Sequence, residues 1–428
     1  MTFTSTRRTV VATLAALVLA VALAPSASAA PWRTPRLLEG PFAVSSIPDA
    51  PLVVENSLGH ALAAWSAASG ARYADKAPGK NWSHAKTVPG GQKSAGSIAV
   101  ALGDNDFAAI AYLTVATEIT PSKLMVSTRQ PNAAFSKPAT VTSTHLAWDL
   151  HAAVAPDGSV TVAWSEGGAI KAAHLDAGTG AWDLATLSTP GIAAWLPDLV
   201  GNERGDVMAA WQEGAGYQPV AIHAAQRAAG AVSWAAAERV SPVNGHSTWN
   251  AKPGLSATGE SAVGWLDGNT MVVARKPANG GWQAPEPLSG GQSVYYPALA
   301  MDAFGNLVAA WQTLDTGNAG SIWSSRAAVG SGWSAATRLS TAAEDAAWPT
   351  VATARAGGLA VVSWTNNSNN TVRASTTTGG AWKASNLGTG YWSGVVPVAA
   401  GGGEAVAGWA SPHNFNPNAA DLMADVWR

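Results

Sequence analysis

Two aromatic series run through the chain out of step with each other, and together they dictate its architecture. The first series ends a recurring phrase: Pro, a short apolar run, a Gly turn, a run of small apolar residues, then an aromatic. One copy reads Tyr296-Pro297-Ala298-Leu299-Ala300, followed by Gly305-Asn306-Leu307-Val308-Ala309-Ala310-Trp311. The copies end at Trp65, Tyr112, Trp164, Trp211, Trp265, Trp311, Trp364 and Trp409, spaced by 47, 52, 47, 54, 46, 53 and 45 residues. The second series lies in between, in phrases such as Gly332-Trp333-Ser334 leading to Leu339-Ser340. Its aromatics are Trp32, Trp82, Phe135, Trp182, Trp234, Trp282, Trp333 and Trp382. Fourteen of the 21 tryptophans belong to these series, so most of the Trp content belongs to the repeat and not to a ligand site.

Each unit reads as four short strands, A to D. Strand A follows the Pro, strand B ends at the first aromatic, strand C is a short alternating segment, and strand D carries the second aromatic. A period of roughly 45–50 residues with Gly-rich turns fits the blades of a β-propeller. No segment after the N-terminal region has helical periodicity. The last unit stops after Asp421-Leu422-Met423-Ala424-Asp425-Val426-Trp427-Arg428, its strand C. The segment Trp32-Arg33-Thr34-Pro35-Arg36-Leu37-Leu38 is a strand D with no unit before it. The expectation is therefore an all-β, single eight-bladed propeller over residues 30–428. Its ring closes with three C-terminal strands and one N-terminal strand, which hides sheet edges. The Ala-rich B strands suit burial on both faces, with Trp filling the wedge between blades.

Residues 1–29 read as an export signal: Arg7 and Arg8, an apolar stretch from Val10 to Ala24, and Ala27-Ser28-Ala29 as a small-x-small cleavage site. The product is expected to be secreted and extracellular, with no membrane span. The paired arginines leave Sec and twin-arginine export both open. The formal charge is −2, and loss of Arg7 and Arg8 takes it to −4. That balance gives no general attraction to nucleic acid or anionic membrane. Without cysteine, stability must come from packing.

The phrase Asp-x-x-Gly-Asn-x-x-apolar-Ala-Trp with a later Gly-Trp-Ser and Leu-Ser resembles the repeats of secreted actinobacterial sialidase-like propellers (BNR or Asp-box-like). A looser likeness is to Trp-rich propeller lectins. The resemblance implies the propeller fold across the mature chain and, from the lectins, sugar binding on one rim. The sialidase Asp-box, Ser-x-Asp-x-Gly-x-x-Trp, is absent as such, with Asp302-Ala303-Phe304-Gly305 and Asp157-Gly158 as partial echoes. Sialidase catalysis needs converging arginines and a Tyr/Glu nucleophile. No arginine falls in the loops that would form such a site, so the resemblance points to a non-catalytic member.

In an A-B-C-D blade the B–C loops and the D-to-A connections share one face, and these are the segments that vary here. Variable loops on a rigid scaffold are where binding usually sits. Just before strand A lies a third aromatic group: Trp148, Trp195, Trp249, Tyr296, Trp348 and Trp392. Polar residues follow the strand B aromatics, among them Glu166, Gln212, Glu213, Asp267, Gln312 and Asn366. Stacking and hydrogen-bonding groups on one rim suit sugars, although packing between blades accounts equally well for the aromatics. The B–C loops alternate short and long, which predicts a duplicated two-blade unit and up to four equivalent pockets.

An acidic, aromatic face suits a neutral or amino-sugar glycan better than sialic acid or phosphate. No metal-ligand spacing and no Gly-x-Ser-x-Gly elbow occurs, and no cofactor is expected. Asp149, Asp198 and Glu213 are the candidates for a carboxylate pair if the protein cleaves glycosidic bonds. The leading expectation is a lectin-like binding protein for a glycan or cell-surface polysaccharide. The alternatives are a propeller hydrolase or lyase, or a subunit docking a secreted protein partner.

Overall fold

The computed structural model describes residues 32–43, 50–67, 69–90, 94–115, 121–145, 147–215, 218–290, 293–390, 396–413 and 416–428. Its strands form eight antiparallel sheets of four, with no helix among the described residues. In seven sheets the strand order follows the chain. In the first blade it runs Leu52–Glu55, Ala61–Ala67, Gly70–Lys76 and Lys86–Thr87. The eighth sheet joins the two ends. Val398–Gly401, Glu404–His413 and Asn416–Trp427 supply strands A to C, and Arg36–Ala43 supplies strand D. Trp32 bridges Trp427, and the Arg33 amide donates to the Val426 carbonyl at 2.9 Å. The chain is an eight-bladed propeller closed as the sequence predicts.

The core lies between blades. Trp65, Trp164, Trp211, Trp265, Trp311, Trp364 and Tyr112 are essentially fully buried. Each packs among alanines and branched residues from two neighbouring sheets; Leu62 and Ala64 of blade 1, for example, share a cluster with Ile110 and Tyr112 of blade 2. Small residues permit this approach. At Gly408 a Cβ would stand 2.7 Å from the Pro51 carbonyl, so the closing blade and blade 1 touch backbone to backbone there.

The second aromatic series sits differently from the sequence expectation. Only Trp182 lies within its strand D, Trp182–Thr186. Trp82, Trp234, Trp282 and Trp333 each stand four residues ahead of a two-residue outer strand. An outermost strand has one unpaired edge, and here that strand is kept short. The indoles at this rim are capped by cations: Arg275 lies 5.2 Å from the Trp333 ring, Lys276 5.8 Å from Trp282 and Arg326 5.7 Å from Trp382.

The eight A strands surround a channel cavity of about 340 Å³. On the A–B turn face this channel has a stitched floor. Asn56 Nδ2 donates to the Gly103 carbonyl at 3.1 Å, and Asn202 Nδ2 donates to the Ser256 carbonyl at 2.8 Å. Glu203 of blade 4 meets Arg355 of blade 7 at 3.2 Å across the channel. The other end, where the A strands begin, is the face that carries the variable loops.

Candidate functional site

In blades 2 to 7 strand A changes register at about the same place in the blade, in blade 2 between Ala95 and Ile98, and the shifts of blades 3 to 7 are alike in admitting one extra residue. These five lie between Trp148 and His151, Trp195 and Asp198, Trp249 and Lys252, Tyr295 and Ala298, and Ala347 and Thr350. Each of the five is a β-bulge whose extra residue takes a left-handed backbone: Asp149 (φ 50°), Leu196 (51°), Asn250 (57°), Tyr296 (49°) and Trp348 (55°). Asn and Asp tolerate this region; Leu, Tyr and Trp do so only at a cost, about 1–3 kcal/mol each. Bulges re-aim side chains and are enriched beside functional sites. With the shift in blade 2, six in succession at one end of a channel define its mouth.

Aligned on the bulge, the third aromatic group separates into two columns. Trp148, Trp195 and Trp249 precede the left-handed residue, whereas Tyr296 and Trp348 are themselves the left-handed residue. Trp148 is 44% exposed and Tyr296 45% exposed; Trp195, Trp249 and Trp348 are half-buried. Trp249 also packs against the core between blades 5 and 6. Tyr296 and Trp348 meet edge to face with centroids 6.2 Å apart. Tyr295, 40% exposed, fills the first column in blade 6 and is absent from the sequence-based set; the Tyr-Tyr doublet hid it. Trp392 lies outside the described residues. The columns run through five consecutive blades and do not follow a two-blade period.

Most of the polar candidates are turned inward. Gln212 is fully buried, Glu213 is 3% exposed and Asn366 and Gln312 are also buried. Gln212 Oε1 accepts from the Asn250 amide at 3.0 Å, and Gln312 Oε1 from the Trp348 amide at 3.3 Å. A bulge leaves a ladder N–H without its partner, which is costly when buried. In both cases a glutamine of the preceding blade supplies the acceptor. Asn366 Oδ1 accepts from the amides of Asp345 and Ser368. Asp267, half-buried, faces Asn244 Nδ2 at 2.8 Å and His246 Nδ1 at 3.1 Å. These groups therefore support the loops, where the sequence suggested a ligand-facing rim.

The acids of this face have a second duty that composition concealed. Wedge indoles donate to them: Trp65 to Glu39 at 2.7 Å, Trp164 to Glu166 at 3.0 Å, Trp211 to Glu213 at 2.8 Å and Trp364 to Glu344 at 2.9 Å. The Trp-x-Glu spacing at 164/166 and 211/213 was a visible signal. Strand C arginines reach two of the same carboxylates, Arg72 to Glu39 and Arg373 to Glu344, so the face is less acidic than its loops suggest. Glu213 also accepts from the Thr189 amide at 2.9 Å and lies 3.2 Å from His223 Nδ1. Glu213→Ala should destabilise the protein by about 1–3 kcal/mol in urea unfolding by stranding a buried indole N–H. The penalty should shrink in a Trp211→Phe background.

One charged cluster stays at the mouth, on the A strands of blades 3, 4 and 5. Asp198 meets His151 Nδ1 at 3.2 Å and Lys252 Nζ at 2.9 Å. Burial would raise the Asp198 carboxyl, but Lys252 and His151 outweigh it and hold it well below the usual carboxylate range. Asp149 goes the other way: burial pushes it up, against the pull of His151 and Lys252. Its Oδ2 is buried without a hydrogen-bond partner. Of the three carboxylates singled out from sequence, Asp149 and Asp198 come together here and Glu213 does not. The described residues contain no group of three or more His, Asp or Glu arranged to hold a metal ion.

No protein-family model matches the chain, and no curated protein is significantly similar to it in sequence. Solved structures share the fold at low identity. Polysaccharide lyase Uly1 superimposes with a TM-score of 0.52 at 10% identity, covering 92% of this chain and all of that one. A PL25 ulvan lyase bound to -[GlcA(1-4)Rha3S]- gives 0.52 at 8% identity, covering 84% of this chain and 96% of that one. A catalytically inactive virginiamycin B lyase from Staphylococcus aureus, with quinupristin, gives 0.45 at 11% identity, covering 77% and 94%. What is shown is a propeller with distant propeller neighbours; the sialidase-like resemblance has no family match behind it.

Proposed function

We propose that this is a secreted protein that binds a glycan at the channel mouth of blades 3 to 7, in the manner of a lectin. The observation that carries the reading is the first aromatic column. Trp148, Trp195 and Trp249 occupy the same bulge position in three successive blades, beside a solvent-reaching cluster of two carboxylates, a histidine and a lysine. Aromatic faces stack on the C–H faces of sugars, and charged groups close by fix hydroxyls and orientation. Rigid inner strands hold both, so little ordering is needed on binding. Two fold neighbours being polysaccharide lyases agrees, distantly, with a glycan as ligand.

A glycan array followed by titration calorimetry of the hits tests this. A Trp148→Ala, Trp195→Ala double variant is expected to bind about 10–100-fold more weakly, as lost aromatic anchors do. An unchanged affinity, or no hit for the wild type, would refute the reading. A second reading, cleavage of the bound glycan, is favoured by the opposed displacements of Asp149 and Asp198, which suit an acid and its charged partner. Release of new reducing ends from a polysaccharide panel, lost in Asp198→Asn, would establish it.

A further inference from the structure

We propose that the mouth is one extended site for the interior of an unbranched, β-1,4-linked sugar chain, and that Tyr296 and Trp348 of blades 6 and 7 form its second, uncharged subsite. The proposal rests on the glycan reading and narrows the ligand from any glycan to a chain that spans several blades.

The mouth divides into two unlike sectors. At one equivalent position of strand A, opposite the residue that precedes the wedge tryptophan, blades 3, 4 and 5 carry His151, Asp198 and Lys252. Blades 6 and 7 carry Ala298 and Thr350 there. The charged groups of the first sector pair with one another, Asp198 meeting both His151 and Lys252. The second sector has no charged residue at this position and three aromatic rings around it. Tyr295 is 40% exposed and Tyr296 45% exposed; Trp348 is half-buried and meets Tyr296 edge to face. An edge-to-face contact covers at most one face of one ring, so ring faces remain for a sugar.

The backbone does not ask for these rings. Tyr296 and Trp348 are the left-handed residues of their bulges, at a cost of about 1–3 kcal/mol each. Blades 3 to 5 make the same bulge with Asp149, Leu196 and Asn250, so it has no need of an aromatic. Strained residues of this kind gather at ligand clamps. The ring positions are also firm. Pro297 and Pro349 follow them, each with its own φ locked, and Gln312 Oε1 accepts from the Trp348 amide at 3.3 Å. Among the described residues neither sector recurs around the ring. Packed sheets stand roughly 10 Å apart, and even with inner strands drawn closer an arc over blades 3 to 7 outreaches one or two sugar units. A terminal sugar would use one sector and leave the other idle. A β-1,4-linked chain fits both, because its equatorial linkages make a flat ribbon with C–H faces along its length for stacking on successive rings.

The test is titration calorimetry with cellobiose and cellohexaose, and with the dimer and hexamer of N-acetylglucosamine. It is run on the wild type and on a Tyr296→Asn, Trp348→Asn double variant, with thermal unfolding of both proteins. Asparagine is the residue this scaffold holds at the same bulge in blade 5, so the variant removes the rings and eases the backbone. In at least one series the wild type should bind the hexamer about 10–100-fold more tightly than the dimer, with one chain per ring. The double variant should lose that gain to within about threefold while its affinity for the dimer stays unchanged. Equal affinity for dimer and hexamer, more than one chain per ring, a gain that survives in the variant, or binding of neither series overturns the proposal. Length-independent binding that is lost in the Trp148→Ala, Trp195→Ala variant leaves the glycan reading standing while removing this one. Where neither series binds, the glycan array decides the wider reading separately. Should the double variant unfold, Tyr296→Asn alone is read against the same four sugars.

Discussion

Replacing Lys76 by methionine is expected to destabilise the ring by about 3–5 kcal/mol. Lys76 ends strand C of blade 1, and its side chain is fully buried. Its Nζ lies 2.5 Å from Glu404 Oε2 of the closing blade, 3.2 Å from the Gly59 carbonyl and 3.7 Å from Glu55 Oε1. Arg428 meets the other oxygen of Glu404. Removing the ammonium leaves the largely buried Glu404 carboxylate with only the Arg428 side chain and the Gly59 carbonyl without its donor. Breaking one partner of a buried pair costs more than the pair contributes. Denaturant unfolding monitored by tryptophan fluorescence gives the number. A loss under about 1 kcal/mol would mean that the seam does not depend on this contact.

The second large effect is a fall in stability as pH rises from 5 to 9. Burial pushes Glu55 up to about 8, with Glu404 adding and Lys76 opposing. Burial likewise pushes Asp425, on strand C of the closing blade, up to about 7, against its bond from the Val426 amide and the charge of Arg33. The folded protein keeps a proton on each acid that the unfolded chain has released at its ordinary value near 4. The resulting stability is full below that value and is lost as pH climbs through 7 and 8. Each unit of displacement is worth about 1.4 kcal/mol, so the two acids together set a fall on the order of 5 kcal/mol or more across this window. Thermal unfolding across this range should show it, and Glu55→Gln should flatten the curve. A Tm that rises between pH 5 and 9 in the wild type would refute the assignment. Asp198, held low, loses its contribution only in strong acid and does not disturb this window.

The ring was legible because its cause is periodic. A wedge tryptophan must recur once per blade, and a Gly turn must recur before it, so Trp65 to Trp409 announce eight units to a reader who counts. The seam was not legible beyond its strands. Lys76 and Glu404 stand 328 residues apart in sequence, and nothing local marks either as buried. The candidate site was half legible. Aromatics at the mouth were visible, but their two columns depend on a bulge, which shifts register by one residue without a fixed sequence mark. Tyr295 was therefore passed over for Tyr296. The polar residues misled for a related reason: loop composition does not reveal whether a carboxylate faces water or an indole N–H, as Glu213 and Glu344 demonstrate.

The pairing of Trp32 with Trp427 has an orientational consequence. Strand C of the closing blade runs toward the A–B turn face, and strand D starts there, so Trp32 and Arg428 both lie on that face, outside the channel floor and opposite the aromatic mouth. Anything fused to either end, or any surface that holds the ring by one of them, would sit behind it. The mouth would then point away from the anchor, like a dish fixed from its underside.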